Sequence, residues 1–335
     1  MRRCRVLARA SPLICERWVW WLPGEWQNQE NSRITNPLLT FHRISNIANV
    51  IPLALGNVIP LALGKQVNGM GATLNQSVTQ LSSRERLLLL LPLAGSAFVG
   101  LFLLFLPTLL ATLTGYEGND LYVYRLTGAA TLGYPIALGL ALRQGSWAST
   151  RLVVVAFFTF GIASLYACAV DIIVGRAHSV VYVVLLLTLI FVAITGTLLY
   201  THRGEGRAAA DIASWVVWLL VIATILATVF GLLPLLFPYQ FGHIAGFKAT
   251  DLFVYEQAGA ATLGYAVMGM FELRSRNWLE IRWPLVMASV FNGLSFLASV
   301  LAIVSGDPPL LPYLVAPVSF GVTVAIIVAL RRGGK

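Results

Sequence analysis

Two charged residues stand inside apolar runs of this chain, and they hold the same place in two near-copies of one phrase. Arg125 lies in DLYVYRLTGAATLGY (120–134), and Glu256 lies in DLFVYEQAGAATLGY (251–265). A charge at the centre of a bilayer costs about 2.5–3.5 kcal/mol on insertion scales, so such a residue marks a site or a pair. At a rise of 1.5 Å per residue these two sit ~8 Å inside the ends of their helices. Three roles are open at that depth: snorkelling of the long side chain toward water, mutual neutralisation of Arg125 and Glu256 where the two copies meet, or a ligand- or ion-binding site that includes Gln257. With Thr131, Thr262 and Asn292, these residues make up a thin mid-helix polar inventory.

Other polar residues point to structure. Asp120, Asp251 and Asp211 each open a helix, where a carboxylate can cap free N–H groups and complement the positive end of the dipole. Asp171, with Arg176 five residues on, suggests a local pair. His178, His202 and His243 fall at helix ends or in loops, and no HExxH motif or same-face His pair occurs. Cys168 lies within an apolar helix, and a lone cysteine there acts as a small hydrophobe. No phosphate loop is present, since GAATLGY lies inside a helix and follows no strand. No catalytic residue, metal or cofactor is therefore expected.

The elements that must position these residues are membrane helices. The chain is 58% hydrophobic and 11% charged, with a mean hydropathy of +0.78, whereas soluble domains carry roughly 25% charged residues. Eight apolar segments are predicted at 87–113, 120–142, 152–174, 179–201, 212–237, 251–272, 283–304 and 310–330, several of them near the ~20 residues needed to cross a bilayer. The fold class is all-α and integral to the membrane, with eight transmembrane helices arranged as two parallel four-helix repeats. Residues 87–201 form the first repeat, 202–211 a cytoplasmic linker, 212–330 the second repeat and 331–335 a basic tail.

The repeat rests on an offset of 131. Aligning 100–151 with 231–282 needs no gap and gives 20 identities in 52 positions, including Pro107/Pro238, Gly115/Gly246 and Asp120/Asp251. The pattern reads as a gene duplication. An even number of spans per copy makes the repeats parallel, related by an axis along the membrane normal. Twelve of the 15 basic residues after Met70 then fall on one side, which is the positive-inside pattern. That places both termini in the cytoplasm of a multi-pass cell-membrane protein.

Within the repeated motif, Gly128, Ala129 and Gly133, like Gly259, Ala260 and Gly264, put small side chains where a neighbouring backbone can approach closely. Tight helix packing is the expected role, with a small-residue pocket or pore lining as the sharper alternative. Pro135 has no counterpart, because Ala266 stands at its place, so a kink is expected in one copy only. Trp147 and Trp278, beside Arg151 and Arg282, read as interfacial anchors.

Residues 1–69 differ from the rest. They carry eight of the 23 basic residues, four of the nine Trp, Cys4, Cys15 and a duplicated NVIPLALG. Without an h-region and cleavage site they are no signal peptide. Met70 is the expected start, with 70–86 a polar cytoplasmic leader and 1–69 an extension.

The paired YRLTGAATLGY…W…R units resemble those of uncharacterised bacterial polytopic membrane proteins. The four-helix unit is similar in layout to the small DoxX-like membrane proteins over residues 85–330. That likeness is one of topology, carries no functional residue, and implies a bacterial source. The functional expectation is a non-catalytic membrane scaffold, assembly factor or sensor component. The alternative is a transporter or channel for a small neutral or lipophilic solute along the interface of the repeats. The lipid bilayer is the expected surrounding, with a membrane-protein partner or a second copy as possible company; no basic, aromatic-interleaved surface suggests nucleic acid.

Overall fold

A computed structural model describes residues 79–203, 212–306 and 308–333. All lie in the larger of two units, Leu61–Lys335. The extension 1–69, the proposed start at Met70, most of the leader, Arg207, Asp211 and Lys335 lie outside the described residues. The described residues form ten α-helices and no sheet.

In chain order these are α1 (Ser83–Phe105), α2 (Pro107–Thr114), α3 (Leu121–Gln144), α4 (Trp147–Val174), α5 (Ser179–Thr201), α6 (Ser214–Leu236), α7 (Pro238–Ile244), α8 (Leu252–Ser275), α9 (Trp278–Val304) and α10 (Leu310–Arg332). Six of them, α1, α4, α5, α6, α9 and α10, are long and apolar enough to cross a membrane. The protein is thus a helical membrane protein. The remaining long helices, α3 and α8, have 24 residues each. They carry the repeated motif, are more polar, and lie deeply buried.

Each expected segment contains one long helix, but the first and fifth are split. Leu106 (φ −126°, ψ 45°) and Phe237 (φ −133°, ψ 54°) leave the helical region, since the residue before a proline is pushed out of it. Pro107 and Pro238 then start the short helices α2 and α7, a position that suits a residue without an N–H. By contrast α3 continues unbroken through Pro135. The start of α1 is fixed by a reciprocal capping box between Ser82 and Glu85.

Packing crosses between the two halves of the chain. The motif helix α3 packs chiefly on α1 and on α9, and α8 packs chiefly on α6 and on α4. Sequence neighbours α3 and α4 touch less than α3 and α9 do. The central helices α3, α4, α8 and α9 share one core, in which Tyr134, Ala156, Tyr265 and Met287 are buried together. The outer helices α1, α5, α6 and α10 expose large apolar side chains such as Leu87, Leu186, Ile222 and Leu314. Such a surface suits hydrocarbon and not water.

A seam, a charged cluster and two cavities

The repeated GAATLGY motif builds the seam between α3 and α8. The Tyr134 hydroxyl donates to the Ala261 carbonyl at 2.6 Å, and the Tyr265 hydroxyl donates to the Ala130 carbonyl at 2.7 Å. The two rings meet edge to face with centroids 5.2 Å apart. Each tyrosine needs a glycine opposite, because a Cβ on Gly264 would collide with the Tyr134 hydroxyl and one on Gly133 with the Tyr265 hydroxyl. The other glycine of each motif faces a backbone. A Cβ on Gly128 would stand 2.6 Å from the Leu104 nitrogen of α1, and one on Gly259 the same distance from the Leu235 nitrogen of α6. Ala129 and Ala260 are fully buried beside them.

At one end of the bundle the aspartates reach across. Asp120 accepts from the Lys248 and Ala249 amides at 3.1 and 2.9 Å and from the Tyr255 hydroxyl at 2.8 Å. Asp251 accepts from the Glu117 and Gly118 amides at 3.0 and 2.8 Å and from the Tyr124 hydroxyl at 2.8 Å. Neither side chain caps its own helix, which corrects the expected capping role. Successive amides beside a left-handed residue form a concave nest that suits an anion. Gly118 and Ala249 supply that residue, at φ +68° and +54°.

The same end holds a charged cluster. Arg176 Nη2 lies 2.6 Å from Asp171 and 3.0 Å from Glu256. The local Asp171–Arg176 pair is as expected. The Arg125–Glu256 pair is not formed, and among the described residues Arg125 has no ion pair. Both carboxylates are 2% exposed while Arg176 is 32% exposed. The pair forms there because Arg176 follows α4, which packs on α8. A sequence signal for it exists: 131 residues on from Arg176 stands Asp307, so both members of the pair have counterparts of opposite sign. Tyr116, in the loop after α2, lies against this cluster. Burial pushes its phenol pKa well up, and Asp171, Asp251 and Glu256 add to the shift.

Two cavities flank the seam. One, about 280 Å³, lies among α1, α3, α4 and α5 with Phe253, Val254 and Gln257 of α8. The other, about 230 Å³, lies among α6, α8, α9 and α10 with Val123 and Leu126 of α3. Their linings correspond at the offset of 131: Thr131 with Thr262, Phe160 with Phe291, Ser164 with Ser295, Thr188 with Ser319. Each reaches the apolar surface, since lining residues Phe98 and Val183 of the first and Phe230 and Leu314 of the second are exposed. Gln257 accepts from Ser164 at 2.8 Å, and its amide nitrogen is buried without a partner.

At the opposite end Trp147 is 2% exposed and stacks on His202 at 4.5 Å, while His202 lies 2.8 Å from Glu85. Trp147 is thus a core residue and not a lipid-facing anchor. Trp278 and Arg151 are half-buried, and Arg282 lies over the Trp283 ring at 4.6 Å. Glu272, the last residue of the segment expected at 251–272, lies on α8, buried at the wall of the second cavity. Among the described residues no group of three metal-ligating side chains occurs.

Comparison with protein-family models, curated proteins and solved structures finds no match to the chain.

Proposed function

We propose that this is an eight-span, non-catalytic membrane protein of two parallel repeats whose work is to hold small lipophilic molecules taken from the bilayer, as a sensor or assembly component would. The observation that carries the reading is the pair of corresponding cavities, each open sideways at an apolar surface between the first and fourth helices of its half. Sites of this kind are concave, mostly apolar, and supplied with a few placed polar groups. Their volumes suit single small ligands. The seam between the halves is filled by Tyr134 and Tyr265, which favours binding over passage of a solute between the repeats. Both termini are assigned to the cytoplasm from the placement of arginines.

The test is native mass spectrometry of the full chain with 1-bromooctane. Two bound molecules per chain are expected. Filling one cavity through Val184→Trp, or the other through Val315→Trp, should each remove one. Binding that neither substitution reduces would refute the assignment of the cavities.

A further inference from the structure

The two cavities are not chemically alike, and the second extends further along α8. Leu220, Thr224, Met268, Gly269 and Glu272 line it, whereas the positions 131 residues earlier, Leu89, Leu93, Ala137, Leu138 and Ala141, line neither cavity. The counterpart of Gly269, Leu138, is fully buried; a Cβ on Gly269 would collide with the Thr224 hydroxyl, so glycine there lets Thr224 come close to α8.

Three polar atoms at this wall are buried and have no hydrogen-bond partner: Thr224 Oγ1, Glu272 Oε1 and Ser295 Oγ. Their residues are 8%, 4% and 1% exposed. Among the described residues no salt bridge reaches Glu272. Buried polar atoms find partners in nearly all native structures, so an orphan asks for a water, an ion or a ligand. Three orphans sharing one apolar cavity with an opening to the bilayer point to a ligand with both characters. Glu272 lies three residues before the end of α8, about 4.5 Å from it at 1.5 Å per residue. A head group placed there sits near the membrane interface while its tail follows α8 inward.

Resting on the reading of the cavities as lipophile sites, we propose that the second cavity selects single-tailed amphiphiles whose head group donates hydrogen bonds, an amine or a hydroxyl, with Glu272 and Thr224 as the acceptors. The first cavity has Ala141 and Leu93 at the corresponding positions; its own orphaned atoms are the Gln257 amide nitrogen, a donor, and the Tyr116 hydroxyl, so it offers such a head no carboxylate acceptor.

Octylamine, 1-octanol and 1-bromooctane serve as probes, with the full chain in micelles and binding counted by native mass spectrometry. Octylamine and 1-octanol should bind the second cavity at least tenfold more tightly than 1-bromooctane does. Glu272→Leu should abolish that preference and leave 1-bromooctane binding intact at both sites. Thr224→Val, a near-isosteric change, should weaken octylamine and 1-octanol binding several-fold and serves if Glu272→Leu does not fold. Equal affinity for the three probes, or a preference that survives both substitutions, overturns the selectivity. Failure of every probe at both cavities instead overturns the lipophile-site reading itself.

Discussion

A carboxylate that accepts three hydrogen bonds in a buried place leaves three donors stranded when it is removed. Asp120 and Asp251 each hold two amides and one phenol of the other half. Each stranded buried donor costs about 1–3 kcal/mol. Asp120→Ala and Asp251→Ala should therefore each lower unfolding stability by about 3 kcal/mol or more, by similar amounts, in denaturant titrations in micelles; a loss at one site only would contradict the matched geometry. Arg176→Ala strands two buried carboxylates and should cost about 3–5 kcal/mol, as breaking a buried pair does. Adding Glu256→Gln should recover part of that loss, while Arg125→Ala, which breaks no ion pair among the described residues, should change stability by less than ~0.5 kcal/mol. A double-mutant cycle checks the set. The charges at 125 and 256 were visible in the sequence as a symmetric pair, yet the partner of Glu256 is not the residue equivalent to it. Equivalence in a repeat says which positions play the same part. It does not say that they touch.

At the scale of elements, the glycines divide into those that set a helix approach and those that do not. Gly128 meets the backbone of α1, which cannot move aside as a side chain can. Gly128→Leu should force α1 from α3 and lose folded protein, read as the monodisperse fraction in size-exclusion chromatography. Gly139 lies in the same helix with only the Leu93 side chain nearby, at an ordinary 3.6 Å. Gly139→Ala should be neutral or stabilise by about 0.5–1 kcal/mol, because glycine is unfavourable in a helix interior. Equal damage at both positions would remove the close-approach argument. The spacing of small residues was legible beforehand as a packing signature. The tyrosine that ends each motif was not legible as the reason for the glycine before it, because that tyrosine comes from the other copy. The breaks at Leu106 and Phe237 were signalled by Pro107 and Pro238 but are hidden in a hydropathy profile, which runs through them. Trp147 likewise has an anchor's composition and neighbourhood, and only the packing of α4 against the end of α5 buries it.

For the molecule as a whole, the membrane character was plain from composition, and the helices follow the apolar segments. Six satisfy a strict apolar criterion, while α3 and α8 carry the polar groups that a buried central helix can satisfy within the protein. If all eight cross, the loop at Asn119 and the loop at Lys248 share one side of the membrane and Arg203 and Arg331 share the other. In a chain freed of native cysteines, Asn119→Cys and Lys248→Cys should react with an impermeant maleimide in intact cells, and Arg203→Cys and Arg331→Cys only after permeabilisation. Mixed labelling within either pair would rule the arrangement out. The aspartate and tyrosine exchanges are reciprocal: what residue n does with a partner in the other half, residue n + 131 does with that partner's counterpart. That is the geometry of a closed twofold dimer, so a chain half this long could have made the same contacts with its own twin at sufficient concentration. A chain that carries both halves has no such dependence on concentration. It also releases each position from serving in two places at once, which is how an acidic residue can stand at 272 while alanine stays at 141.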